Sequence, residues 1–196
     1  ILLFSRKIIE KNQLVRKNKW KKTESHTLKE KSLGVIGVGH IGKVVANKAL
    51  DLGMKVFGND IREISRNFVG RTGIKMVTFN ELLTHSDFVT LHCDLNNTSF
   101  HLIGENELKI MKPESVLINT SRGEVIDQSA LEDALQNNEI SGAALDVFEV
   151  EPLPEDNILR KIDNVYLSPH NSNGSPQVFN KVDELSIQNL FTGLGI

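Results

Sequence analysis

The sequence predicts an α/β domain built on a doubly wound parallel sheet, and three observations carry that prediction. Short β-forming runs alternate with helical patterns along nearly the whole chain. The strongest of them, Ser32-Leu33-Gly34-Val35-Ile36, stops in the pattern Gly37-x-Gly39-x-x-Gly42 and is followed by apolar residues at helical spacing: Ile41, Val44, Val45, Ala49 and Leu52. A second run, Met54-Lys55-Val56-Phe57-Gly58-Asn59, then closes on the acid Asp60.

Strand, glycine turn, helix and acid in that order suit a dinucleotide. Gly37 allows a tight turn, Gly39 lets backbone N–H groups reach phosphate oxygens, and Gly42 lets helix and sheet pack closely. The helix N-terminus at His40 and Ile41 adds a partial positive charge facing the anion. A carboxylate at Asp60 accepts hydrogen bonds from ribose hydroxyls and repels a 2′-phosphate, which favours NAD over NADP. Arg62 is the counterweight, since a nearby cation tolerates that phosphate. The plain alternative is an α/β turn that binds no nucleotide.

A chain of 196 residues holds one such domain with a full core rather than two. Its 39% hydrophobic and 24% charged residues are those of a soluble globular protein. The net charge of −2 gives no case for nucleic acid or a membrane surface as partner. A single cysteine, Cys93, makes no internal disulfide and fits a reducing cytoplasm. No apolar run approaches membrane-spanning length. The chain opens at Ile1 without a methionine and passes directly into a helical pattern, as expected of a fragment.

Residues 1–19 read as an amphipathic helix with Ile1, Phe4, Ile8 and Val15 on one side and Trp20 ending it as a packing anchor. Ten Lys/Arg against three Asp/Glu fall within residues 1–31; without interleaved aromatics or a DNA-reading motif they read as a solvated face. After Asp60, residues 62–73 read as a polar loop. Residues 74–77 form a short strand and 79–85 a short helix begun by Thr78 or Asn80. Residues 87–92 form the next strand, and a polar turn at 94–99 leads to a helix at 105–111 stopped by Pro113. Strands at 115–119, 140–145 and 164–167 and helices at 128–137 and 176–194 complete the pattern, the last opened by Pro176. Right-handed crossovers place every loop that follows a strand along one edge.

Ligands of such sheets bind beyond the carboxyl ends of the strands. Three residues there can do chemistry: Arg122 in Asn119-Thr120-Ser121-Arg122-Gly123, Glu151 in the segment 146–152, and His170 in Ser168-Pro169-His170. Each also has an ordinary reading, as a helix cap or surface ion pair, a plain loop carboxylate, and a satisfied buried histidine. His92, Cys93 and Asp94 suggest a metal site at first sight, but adjacent residues on an extended strand point to opposite faces and do not converge on one ion. No metal is expected.

These stretches resemble the NAD-binding domain of the D-isomer-specific 2-hydroxyacid dehydrogenases. The resemblance runs through residues 33–42, 54–60, 86–92, 111–123, 142–152 and 164–170 in the family's order, and the opening helix with Trp20 is similar to the family's interdomain helix. It implies a Rossmann-type fold with an interdomain helix and dimerisation arm at 1–30, an NAD-binding domain at 31–175 and a return helix at 176–196, the substrate domain being largely absent. It implies that Arg122, Glu151 and His170 form the catalytic set. Reduction of a 2-keto acid needs a proton for the carbonyl oxygen, which histidine can hold near neutral pH. A neighbouring carboxylate orients the ring and favours its charged form, and a guanidinium holds the substrate carboxylate. The resemblance further implies that Asp146 meets the nicotinamide carboxamide and that Thr120, Ser121, His92 and Cys93 line the nicotinamide side.

The implied activity is NAD-dependent interconversion of a D-2-hydroxy acid and its 2-keto acid, phosphoglycerate-like or hydroxypyruvate/glyoxylate-like, in a cytoplasmic homodimer. An NAD-sensing corepressor-like protein and a formate- or phosphite-type dehydrogenase are the alternatives the same triplet allows. Asp94, where many members have proline, and the polar turn at 171–175 depart from the family pattern.

Overall fold

In the computed structural model, which describes residues 1–172 and 174–195, the run Ser32–Ile36 forms β1 with every residue buried. Asn173, in the polar turn expected after His170, and Ile196, at the end of the expected return helix, lie outside the described residues. β1 sits between β2 (Lys55–Asn59) and β4 (Phe88–Leu91). With β3 (Lys75–Met76), β5 (Val116–Asn119), β6 (Gly142–Leu145) and β7 (Val165–Leu167) these make a seven-stranded sheet in the order β3-β2-β1-β4-β5-β6-β7. Every pairing is parallel. This is the Rossmann-type order expected from the sequence, with its reversal between β1 and β4.

Alternate residues of the strands feed two apolar layers, as the period of two requires. Leu33 and Val35 share one layer with Val56, Phe88 and Val116 and with Ala46 and Ala49 of α3 (His40–Asp51). Ile36, Val89, Leu91 and Leu117 face the other, where they meet α5 (Phe79–His85), α6 (Glu105–Ile110) and α7 (Gln128–Gln136). Each fully buried Leu or Ile contributes about 2 kcal/mol, which is enough to hold the strand ends, and the loops beyond them, in fixed relation.

Several expectations need correction. The opening helix is broken in two, α1 (Leu2–Ser5) and α2 (Ile8–Arg16), by Lys7 at φ 49°. The first turn is pulled onto the sheet: Phe4 packs on Tyr166 with centroids 4.3 Å apart, and the backbone N–H of His26 donates to the Ser5 carbonyl. Beyond it the segment is mostly exposed, with Ile9 and Leu14 half-buried, and Trp20 is 91% exposed, so it anchors no packing within this chain. Residues 62–73 are not all loop: α4 (Arg66–Thr72) forms because Phe68 is buried against the first layer, with Ile64 and Val69 half-buried beside it. In α3 the buried face is Gly42, Ala46 and Ala49, while Ile41, Val44 and Leu52 are exposed, because only small side chains let the helix lie close to β1.

Thr78 caps α5 as expected, in a capping box with Glu81, while Asn80 lies inside the helix. α8 (Pro176–Leu194) is capped by Ser175, whose Oγ accepts from the Val178 N–H. Its residues are exposed throughout, so it covers no part of the sheet. Among the described residues no helix is long and apolar enough to cross a membrane.

Candidate functional site

The carboxyl ends of β1, β2, β4, β5, β6 and β7 share one edge of the sheet, and the candidate residues lie along it, in the loops after the strands and, for His40, Ile41 and Gly42, in the first turn of α3. At β1 the chain turns through Gly37 at φ 86°, a conformation that favours glycine. A Cβ on Gly42 would collide with the Gly37 carbonyl, so the closeness of helix and turn depends on its absence. Gly39 is different: a Cβ there would meet only the tip of Arg62, at 3.5 Å, leaving the turn open on its outer side. Gly39 is also the N-cap of α3 and offers no side-chain cap, so the first amides of that helix point outward without side-chain acceptors. The Asp60 side chain is only 4% exposed. Its Oδ2 accepts from the Val38 N–H (2.8 Å) and its Oδ1 from the Arg62 N–H (2.8 Å) and Nε (3.4 Å). A recess of about 220 Å³ opens here, lined by Gly39, His40, Lys43 and Arg62 among others. Uncapped amides, an open glycine and an oriented acid are what a dinucleotide's phosphates and ribose need.

Next along the edge, His92 follows β4. Its Nε2 is 3.0 Å from the buried Thr90 Oγ1, and burial pushes its pKa down to about 4. The Cys93 thiol is pushed up, by burial first and then by the charges of Asp94 and Asp60, which disfavours a nucleophilic thiolate. Among the described residues no group of three His, Cys, Asp or Glu is placed to hold a metal ion. Across from His92 the loop after β5 is shaped by Asn119, which is fully buried. Its Oδ1 accepts from the Ser121 N–H (3.0 Å) and Oγ (2.9 Å), and its Nδ2 donates to the Arg122 carbonyl (2.8 Å). That turn presents Thr120 and Arg122 outward. Ile41, His92, Cys93, Thr120, Ser121 and Arg122 line one recess of about 360 Å³.

The loops after β6 and β7 hold the second histidine. His170 Nδ1 lies 2.7 Å from Glu151 Oε2, and Glu151 Oε1 accepts from the Phe148 N–H (3.0 Å). Partial burial opposes the Glu151 charge. The hydrogen bonds from His170 and Phe148 and the imidazolium charge outweigh it and hold the carboxyl below its ordinary value of 4.5. Because an ionised carboxylate only accepts, Nδ1 carries a proton, and Nε2, which has no hydrogen-bond partner among the described residues, is the nitrogen free to exchange one. Asp146 is almost fully buried, and its oxygens accept from the Asn171 and Ser172 N–H groups (2.9 Å each) while its carbonyl accepts from the His170 N–H (2.8 Å). Burial disfavours its charge, but these bonds and one from Ser168 hold its pKa down. Its carboxylate thus fastens the His170 loop.

The structure therefore joins Glu151 to His170 directly and Asp146 to the His170 loop through that loop's backbone N–H groups. It places Arg122 in the neighbouring recess with His92, Cys93, Thr120 and Ser121, joined by no hydrogen bond or ion pair to His170 among the described residues. Gly37, Gly39, His40, Gly42 and Asp60 stand at the β1–β2 end. Asn119 is the residue that sequence reasoning passed over, noticed only within the motif around Arg122. Its signal was an asparagine at a strand end two residues before a serine, where it folds back on the backbone.

This geometry has counterparts. The D-isomer specific 2-hydroxyacid dehydrogenase NAD binding domain matches residues 1–172. The chain belongs to that family. A glyoxylate reductase of Korarchaeum cryptofilum (strain OPF8) is 39% identical over 197 residues, which cover 97% of this chain and 59% of that protein. A D-3-phosphoglycerate dehydrogenase of Methanocaldococcus jannaschii is 38% identical over 173 residues, covering 87% of this chain and 33% of that one. The crystal structure of a D-lactate dehydrogenase from Aquifex aeolicus, complexed with NAD and lactic acid, superposes with a TM-score of 0.89 at 29% identity, covering 99% of this chain and 63% of its own. The chain spans about three fifths of the length of the glyoxylate reductase it matches. Within the family it carries the NAD-binding domain, and the uncapped turn at Gly39 with Asp60 beside it fits that cofactor.

Proposed function

We propose that this chain is the NAD(H)-binding part of a dehydrogenase that interconverts a small D-2-hydroxy acid and its 2-keto acid, of the glyoxylate, hydroxypyruvate or phosphoglycerate kind. The observation that carries the reading is the 2.7 Å contact between His170 Nδ1 and Glu151 Oε2 on the same sheet edge as the glycine turn and Arg122. The residues that hold the cofactor are Gly37, Gly39, His40, Ile41, Gly42 and Asp60 at the adenosine and phosphate end, and His92, Cys93, Thr120, Ser121, Arg122, Asp146 and His170 toward the nicotinamide. When bound there, NADH supplies the hydride for the carbonyl carbon.

The protein's own residues do the rest. His170 Nε2 gives a proton to the carbonyl oxygen in the reductive direction and takes it back in the other. Glu151 keeps the ring turned so that Nε2 faces outward, and its negative charge steadies the imidazolium. Arg122, always charged and exposed, holds the substrate carboxylate by paired hydrogen bonds. Asp146 keeps the His170 loop in place while the proton moves.

We divide the chain into an arm at residues 1–30, the NAD-binding domain at 31–175 and a helix at 176–196, and assign the arm to a homodimer contact. The exposed Trp20, with Leu2, Leu3, Ile8 and Val15 also exposed nearby in sequence, supports that assignment. Size exclusion with light scattering tests it: a strict monomer at high concentration refutes it. The free Cys93 suits a reducing cytoplasm, where we place the protein.

The reading is tested by titrating NADH into the 196-residue chain and then adding glyoxylate or hydroxypyruvate. NADH should bind, and reduction should be slow, because His170 and Glu151 are 47% and 36% exposed and water reaches the pair. Absence of NADH affinity defeats the assignment, and turnover at ordinary enzyme rates defeats the claim that the open edge limits it.

A further inference from the structure

A second histidine meets a carboxylate on the loop that carries Glu151. His101 lies ahead of α6 at φ 48°, an uncommon conformation for a residue with a side chain. Its Nε2 stands 2.8 Å from Glu149 Oε1, its Nδ1 3.9 Å from Asp127 Oδ2, and its ring is stacked on Phe100 with centroids 4.0 Å apart. The backbone here is held without the ring. His101 N donates to the Glu124 carbonyl (2.8 Å), Ile103 N to that of Val125 (3.1 Å), and Asp127 N to that of Ile103 (2.9 Å). The imidazole is therefore not needed to keep this segment beside the Arg122 loop.

What the imidazole does hold is Glu149. Glu149 Oε1 also accepts from the Gln128 N–H (3.1 Å), and the Glu149 N–H donates to Gln128 Oε1 (3.3 Å). Gly123 backs the same stretch, since a Cβ on it would strike the Phe148 carbonyl. Phe148 and Glu149 are thus fixed from three sides, and Phe148 is the residue whose N–H holds Glu151 Oε1. Only the exposed Val150 separates Glu149 from Glu151. Glu151 itself is half-exposed, so its direction is set by this short anchored segment rather than by surrounding side chains.

We propose that His101 is a positioning residue: with Gln128 it pins Glu149, and so sets the loop from which Glu151 reaches His170. The proposal rests on the reading of Glu151 and His170 as the working pair, and it gives that pair a support outside the site. Removing the pin leaves the fold and both working side chains in place and loosens the contact between them.

Amide exchange and histidine-ring NMR on the 196-residue chain test this with three variants. His101→Asn tolerates a positive φ but is too short to reach Glu149. His101→Gln returns an N–H donor near the Nε2 position. Glu149→Ala removes the acceptor without touching the strained residue, and serves if a change at His101 impairs folding. His101→Asn and Glu149→Ala should speed exchange of the Phe148 amide about tenfold and lose the ring N–H signal of the His170–Glu151 bond, while amides of β1 and β5 keep their protection. His101→Gln should restore most of both. A loss of protection in β1 and β5 in step with Phe148 would mean general support and would overturn the proposal, as would Phe148 exchange unchanged in both variants. A parent chain showing no His170 ring N–H signal would remove the working pair and this proposal with it. A signal present but indifferent to the variants would remove the positioning role alone.

Discussion

The two ends of the sheet edge are built by opposite means. Around β1 and β2 the cofactor recess is made of backbone: a turn at Gly37, uncapped amides at the start of α3, and one nearly buried acid, Asp60, whose oxygens are already oriented by the Val38 and Arg62 N–H groups. Around β6 and β7 the site is made of side chains brought from separate loops, with Glu151 meeting His170 and Asp146 fastening the loop between. A recess made of backbone holds its shape for as long as the core does. A pair of half-exposed side chains holds its shape only through the hydrogen bonds made on each partner's loop. Binding and reaction should therefore fail separately under substitution.

The sharpest way to break that separation is a pair of substitutions. His170→Gln should lower 2-keto acid reduction by about 10²–10⁴-fold, the usual share of an acid–base group, and leave NADH affinity within a few-fold. Gly42→Val should do the reverse, abolishing NADH binding because the new side chain meets the Gly37 carbonyl and separates helix from turn. NADH fluorescence for binding and NADH absorbance for turnover measure both. If His170→Gln loses binding as completely as Gly42→Val, the two ends are not independent.

A smaller effect is expected at Asp60. Replacing it by serine removes the charge beside the glycine turn and releases Arg62, which is 74% exposed and already leans over Gly39. NADH affinity should fall by about tenfold or more, the loss expected for charged hydrogen bonds, while NADPH should lose less or gain. An unchanged ratio of the two affinities would show that Asp60 does not set the preference for NAD.

The same contrast explains how much could be read from the sequence. The cofactor end was legible because a turn without Cβ atoms and an acid after the next strand leave a fixed spacing along the chain. The alternating runs likewise gave the parallel sheet and every one of its strands. At the other end Arg122, Glu151 and His170 could be picked out as polar residues after strands, but no spacing says that Glu151 touches His170 while Arg122 occupies the adjoining recess. The division of labour at Asp146 was hidden for the same reason, since its partners are N–H groups from a loop far along the chain. Trp20 misled because an exposed tryptophan and a buried one look alike in sequence. The α4 segment misled because its few apolar residues, Ile64, Phe68 and Val69, are scattered among polar ones and mark no helical stripe, yet together they pack on the first layer.

His92 bears on stability rather than on binding or turnover, and it joins the two ends, since it lies in the recess between them. Burial lowers its pKa to about 4 from an ordinary 6.5, so the unfolded chain takes up a proton at a pH where the folded chain does not. The folded state should accordingly lose stability as pH falls from about 6.5 to about 4, with little change from this group above or below that window. The full shift corresponds to about 3 kcal/mol, and allowing for the partial exposure of the ring about 2 kcal/mol is expected. His92→Gln keeps a partner for the Thr90 hydroxyl and does not titrate. Glu151 and Asp146, whose depressed pKa values make their own contributions disappear at lower pH, do so in both proteins and cancel from the difference. Denaturant unfolding at a series of pH values should then show the variant gaining on the parent by about 2 kcal/mol between neutral pH and pH near 4. A difference that stays flat across that range would mean that His92 is protonated in the folded chain at ordinary acidity, and the recess it lines would then be open to water.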